Sequence, residues 1–145
     1  MFNYISNTAN KDQILECLVL CDKNFDPVLS SRVNLTEYAY KLFKKAKNFE
    51  CWQEDKLVGI VSIYCEVNEN TFAFITNVCV LPQFNGKGIA KKLIQNSIAY
   101  AREIGKSEVK LEVGASNLKV RMLYSKLGFD NDEIKDNQLI MKLNI

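Results

Sequence analysis

The chain predicts an α/β domain built on a mixed, predominantly antiparallel sheet. Three observations carry that prediction. Apolar spacing changes from helical to strand-like near Phe49, so helices and strands come in blocks. An apolar strand at 72–81 passes through a glycine-rich turn into a helix and then into another strand, the connection a parallel pair requires. No repeat, linker or low-complexity stretch divides the 145 residues, a length that suits one domain spanning 1–145 with its own core.

In chain order, Phe2–Ser6 is a short first strand. Asn10 and Gln13 have capping-box spacing, and Ile14, Leu15, Leu18 and Val19 give a helix to about Asp22. Residues 23–33, with Pro27, form a loop. Asn34 and Glu37 repeat the capping-box spacing before a stripe of Leu35, Tyr38, Ala39, Leu42, Phe43 and Ala46. Strands at 49–53, 57–65 and 72–81 follow, joined by the polar turns 54–56 and 68–70, and read as an antiparallel meander. Both faces of the last of them are mostly apolar, which places it centrally. A helix from about Gly86 to Ile104 ends at Gly105, and Val109, Leu111 and Val113 mark a strand parallel to 72–81. A last helix covers 117–127 and ends at Gly128, and Leu139, Met141, Leu143 and Ile145 alternate as a closing strand.

Composition excludes several functions. A net charge of +2 gives no footprint for nucleic acid or an anionic membrane, and Lys44-Lys45-Ala46-Lys47 reads as the solvated end of a helix. No apolar run has membrane-spanning length, and Met1–Ser6 lacks a signal-type pattern, so a cytoplasmic protein is expected. The five cysteines are odd in number, lie mostly in apolar runs and form no Cys-x-x-Cys pair, the pattern of reduced buried thiols. Cys17 and Cys21 are four apart on a helix, but with no histidine in the chain no metal is expected. The same absence removes Ser-His-Asp and Cys-His catalysis.

The turn at 83–90 carries the chemistry. A glycine-rich turn feeding a helix leaves backbone N–H groups at the positive end of the helix dipole, a cradle for phosphate. Gln83, Phe84, Asn85, Gly86, Lys87, Gly88, Ile89 and Ala90 form it, with Lys91 and Lys92 adding positive charge. The Walker spacing is absent. A dinucleotide fingerprint would need a small residue where Lys91 stands.

Gln83-x-x-Gly86-x-Gly88-Ile89-Ala90, after an apolar strand ending Val80-x-Pro82, resembles the acetyl-CoA motif of the GNAT N-acetyltransferase superfamily. Asn117, followed by Leu123-Tyr124-x-Lys126-Leu127-Gly128-Phe129, is similar to that family's later motif, and the order of elements matches over nearly the whole chain. Asn85 stands where many members carry arginine.

The resemblance implies acetyl-CoA as cofactor and a GNAT-like fold in which strands 72–81 and 109–113 splay apart around the pantetheine arm. It implies that the backbone of Val78, Cys79 and Val80 contacts that arm, with the Val80 N–H polarising the acetyl carbonyl. Such donors are worth roughly 2.7–4 kcal/mol in other enzymes. Tyr124 is then the general acid for the departing thiolate, and Asn117 either binds the arm or only caps its helix. The base stays open among Glu66, Glu69 and Glu112, with Glu66 and Glu112 preferred. Cys79 without a basic partner reads as a core thiol rather than a nucleophile. The first two helices and their loop are implied to line the acceptor site, here Phe25, Asp26, Pro27, Ser30, Ser31, Arg32, Tyr38 and Tyr40. Asp26 is suited to an amine and Arg32 to an anion. The expected acceptor is a small-molecule amine, amino sugar or amino acid. The alternatives are a peptide or protein amine, or a non-catalytic acyl-CoA-binding module. An exposed terminal strand raises the expectation of a homodimer.

Overall fold

The computed structural model describes residues 1–65 and 71–145. Its strands are β1 (Phe2–Ser6), β2 (Lys47–Gln53), β3 (Lys56–Tyr64), β4 (Phe72–Val80), β5 (Glu108–Gly114), β6 (Asp130–Lys135) and β7 (Gln138–Asn144). Its helices are α1 (Lys11–Cys21), α2 (Leu35–Lys45), α3 (Ile89–Glu103) and α4 (Leu118–Lys126). The sheet runs β1-β2-β3-β4-β5-β7-β6. Every neighbouring pair is antiparallel except β4–β5.

Local chemistry sets the boundaries. Asn10 accepts from the Gln13 N–H while the Gln13 side chain accepts from the Asn10 N–H, both at 2.9 Å, so the first capping box is complete. The second forms only in its first half. Asn34 accepts from the Glu37 N–H at 3.0 Å, and the described residues show no return bond. The third helix starts at Ile89, later than the expected Gly86. Gly86 and Gly88 sit at φ +79° and +78°, left-handed values that cannot continue a helix. The 23–33 segment, expected to be plain loop, instead carries most of one short 3₁₀ turn, Asp22–Asn24, and all of another, Leu29–Ser31.

The sheet is covered on both faces. α3 lies on one, where Phe49 meets Tyr100 with ring centroids 5.8 Å apart. A Cβ on Gly59 of β3 would come within 2.9 Å of Ile89 Cγ2, so a bare strand position lets α3 approach closely. α1 and α2 pack together on the opposite face, where Cys79 of β4 meets Cys17 of α1. A buried carboxylate, Glu50, ties the β1–α1 junction to β2. It accepts from the Thr8 N–H, Thr8 Oγ1, the Ala9 N–H and Trp52 Nε1, at 2.6 to 3.2 Å. Its charge is thereby matched by four donor groups.

The strand β6 was not expected from the sequence. All six of its residues are exposed, so no apolar alternation announces it. It forms one edge of the sheet, while the closing strand β7 lies inside between β5 and β6. Among the described residues, no helix is long and apolar enough to cross a membrane.

Candidate active site

The central feature is where β4 and β5 part. Their pairing runs from Phe72 opposite Glu108 to Ile75 opposite Leu111 and stops there. β4 continues to Val80 along β3, and β5 continues to Gly114 along β7, so the two parallel strands diverge toward their C-terminal ends. The Leu81 N–H donates to the Val58 carbonyl at 2.9 Å, on the β3 side. Strand alternation then turns the N–H and C=O of Cys79 toward β3, and those of Val78 and Val80 toward the opening. The Cys79 side chain is buried against α1, so only its backbone is near the split.

The turn after β4 is tied down at its start and open at its end. Pro82–Phe84 make a 3₁₀ turn, in which the Phe84 N–H donates to Leu81 and the Asn85 N–H to Pro82. Two N–H groups from the expected cradle are thus already engaged. The Phe84 ring packs edge-on against Phe2 at 5.8 Å and anchors the turn to β1. Gln83 is exposed beside it. Beyond, the first helical bond of α3 is the Lys92 N–H to the Gly88 carbonyl. The N–H groups of Gly88, Ile89, Ala90 and Lys91 have no acceptor among the described residues. A Cβ at Gly86 or Gly88 would meet nothing within 4 Å, so both glycines serve backbone conformation and border free space. This unpartnered, positively polarised helix start fits a pyrophosphate. Lys87 and Lys91 are exposed beside it, whereas the Lys92 ammonium lies over the Tyr4 ring at 5.0 Å.

Tyr124 is 5% exposed, and its ring packs on Phe129 at 6.0 Å. Its hydroxyl makes no hydrogen bond among the described residues, and burial raises its pKa above the ordinary tyrosine value. It therefore remains a protonated donor at neutral pH. Asn117 caps α4, accepting from the Val120 N–H at 3.5 Å, and its own N–H donates to Gly114. The capping role is present in the fold, and the amide nitrogen of its side chain has no partner among the described residues.

The acceptor-side residues partly converge. The backbone oxygen of Asp26 lies 2.9 Å from where a Gly114 Cβ would stand, so the α1–α2 loop passes directly over the end of β5. Only glycine permits that crossing. Phe25 is half-buried against the core, while Asp26 and Arg32 are exposed. Asp22 holds the loop by accepting from Ser30 N–H at 2.6 Å and Oγ at 2.7 Å. Tyr38 reaches β4, where its hydroxyl donates to the Thr76 carbonyl at 2.8 Å and lies 2.9 Å from Thr76 Oγ1. Burial pushes its pKa up to about 12.

The base candidates do not resolve in the same way. Glu112 is exposed on β5, opposite Ile140 of β7, on the face away from buried Val109, Leu111 and Val113. Glu66 and Glu69 lie outside the described residues. Sequence reasoning missed Tyr64, which is half-buried and whose buried hydroxyl has no hydrogen bond that meets distance and angle requirements among the described residues. Burial raises its pKa. It also missed Thr76, which receives Tyr38 beside a β4 irregularity that no sequence pattern marks.

A diverging parallel pair feeding a glycine turn and a helix start defines a coenzyme A-type acyltransferase fold, and the comparisons with known proteins agree. Residues 14–129 match the Acetyltransferase (GNAT) family, and the chain belongs to it. That family is named for acetyltransferases, and the chain spans about 60% of the length of curated relatives it matches. An uncharacterized N-acetyltransferase of Methanocaldococcus jannaschii, MJ1207, is 30% identical over 137 residues, covering 90% of this chain and 61% of its own length. The [ribosomal protein bS18]-alanine N-acetyltransferase of Haemophilus influenzae is 30% identical over 90 residues, covering 62% of this chain and 59% of its own. Among solved structures, the PaiA N-acetyltransferase of Thermoplasma acidophilum in complex with coenzyme A superposes with a TM-score of 0.76. It is 12% identical and covers 99% of both chains.

Proposed function

We propose that the protein transfers the acetyl group of acetyl-CoA directly to the unprotonated primary amine of an acceptor held beside the β4–β5 opening. The observation that carries this reading is the end of β4–β5 pairing at Ile75 and Leu111, which turns Val78 and Val80 backbone groups toward open space. The Gly88–Lys91 N–H groups bind the pyrophosphate of the cofactor. Bound acetyl-CoA supplies an activated thioester carbonyl. The Val80 N–H donates to that carbonyl oxygen as charge develops on it. An acceptor that arrives as an ammonium ion first loses one proton to water or to a carboxylate such as Glu112; the neutral amine then forms the new C–N bond, and its nitrogen sheds a second proton to the same base. The C–S bond then breaks, and the Tyr124 hydroxyl gives its proton to the leaving thiolate and regains one from solvent.

For the acceptor, we favour a small amine, because the loop carrying Phe25 and Asp26 presses on Gly114 and narrows that side of the opening. Tyr38, Asp26 and Arg32 supply its polar contacts. A peptide or protein α-amine is the second reading, supported by the named acceptor of the Haemophilus influenzae relative. Thiol release from acetyl-CoA across small amines, amino sugars, amino acids and peptides with free N-termini tests both. Turnover confined to small amines supports the first, and turnover confined to peptides replaces it with the second. A rise in Tm with acetyl-CoA but no thiol release on any acceptor would identify a binding module instead.

A further inference from the structure

The fold gathers three cysteines that the sequence keeps far apart. Cys17 and Cys21 project from successive turns of α1, and Cys79 meets them from β4. Their three sulfurs lie within 4.8 Å of one another, with Cys17 Sγ 3.5 Å from Cys79 Sγ. All three are free thiols, exposed by only 1%, 1% and 2%. We propose that Cys17, Cys21 and Cys79 form a trigonal thiolate site for a soft cation, with Cu(I) as the ion that fits.

The donor set selects the ion. Three sulfurs with no imidazole or carboxylate among them are a soft set, which suits Cu(I). No further cysteine, aspartate or glutamate joins the group among the described residues, so tetrahedral Zn(II) would have to draw water as its fourth ligand to side chains exposed by only 1–2%, whereas a trigonal ion needs none. Metal–sulfur bonds of ~2.3 Å around a trigonal ion place the sulfurs roughly 4 Å apart, within the observed spacing. α1 also offers a route in. Cys17 lines a cavity of about 400 Å³ together with Gln13, Glu16 and Lys56. Binding releases the displaced thiol protons to solvent.

The test is an anaerobic titration of the full-length reduced protein with Cu(I) against a chromogenic Cu(I) chelator. One ion per chain, a sulfur-to-copper charge-transfer band and three sulfur scatterers in X-ray absorption are expected. Cys17→Ser and Cys21→Ser should each weaken binding by at least the ~10–100-fold that outer-shell changes cost at metal sites. Cys65→Ser, outside the cluster, should leave binding unchanged, and Zn(II) should not displace the copper. Loading should raise Tm, because the ion joins α1 to β4. Undiminished binding in a folded Cys17→Ser/Cys21→Ser double variant overturns the proposal. Failure of the wild-type protein to compete for Cu(I), or nitrogen and oxygen scatterers only, overturns it without any variant.

Discussion

The proposed donor side and the proposed acceptor side of the opening are built from different materials. The donor side is backbone. It consists of the Val78 and Val80 peptide groups facing a gap, two glycines at positive φ, and four N–H groups at the start of α3. The acceptor side is side chain. It consists of Tyr38 on α2 reaching Thr76, and a loop in which Asp22 binds Ser30 while Phe25, Asp26 and Arg32 face outward or half-inward. A backbone site reads the invariant parts of a ligand and tolerates drift in surface side chains. A side-chain site changes its ligand with each substitution while leaving the sheet intact. One fold can thus keep its donor and vary its acceptor.

The largest effect that would sharpen this contrast is at Tyr124, which the proposed mechanism uses through its side chain. Tyr124→Phe removes a hydroxyl that makes no hydrogen bond among the described residues. Stability should therefore hold, turnover should fall by about 10²–10⁴-fold, and the KM for acetyl-CoA should stay nearly constant. Steady-state kinetics with saturating acceptor reads this. Normal turnover would remove Tyr124 from the mechanism and leave it a packing residue against Phe129.

Next is Gly88, where the proposed cofactor contact is made by backbone. At φ +78° any L-side chain costs about 1–2 kcal/mol, while the open surroundings impose no clash. Gly88→Val should weaken acetyl-CoA binding by roughly tenfold or more, as seen by calorimetry, because relief of the strain moves the α3 N–H groups. A variant that binds acetyl-CoA as tightly as the wild type would show that the glycine turn does not hold the cofactor.

These two regions also differ in how far the sequence reveals them. Gly86, Gly88 and Pro82 are punctuation with narrow backbone meanings, so the turn and the strand before it could be located from residue types alone. Asn10 and Asn34 revealed their helix starts for the same reason. The acceptor side has no such markers. The Tyr38–Thr76 bond joins residues 38 apart, and the contact of Asp26 with Gly114 depends on how a loop folds over a distant strand. Strand β6 escaped because it buries nothing, leaving no apolar alternation to read. No sequence pattern marks Glu50, and only the tertiary structure collects its four donors. The cysteine cluster is the same case, since i and i+4 on a helix predict a pair while the third thiol comes from β4.

Gly59 tests a third backbone requirement, one of packing. The dinucleotide pattern would place a small residue in the helix where it meets the strand; here the strand supplies it. Gly59→Val would drive side-chain atoms into Ile89 and Leu93. It should cost about 1–3 kcal/mol in denaturant unfolding. Because Ile89 opens α3, the displaced helix should also weaken acetyl-CoA binding. Lost stability with unchanged affinity would separate helix packing from cofactor geometry.

The smallest effect near neutral pH belongs to Tyr38. Tyr38→Phe forfeits the hydroxyl's bonds to Thr76 and should cost about 1 kcal/mol of stability. If Tyr38 positions the acceptor, the acceptor KM should rise while the KM for acetyl-CoA stays constant. Its raised pKa adds an alkaline signature. The folded protein holds this proton to about pH 12, against about 10 for an unfolded tyrosine. Between those values the native state binds more protons than the unfolded state, so stability must fall as pH rises. Below pH 10 both states are protonated and the linkage vanishes. The wild-type curve of stability against pH should therefore turn downward above pH 10 more steeply than that of Tyr38→Phe. Tyr124 remains in the variant to supply part of the slope, because burial raises its pKa as well. Identical slopes in the two proteins would show that the Tyr38 hydroxyl is solvated in the folded state. The acceptor side would then begin at the loop rather than at α2.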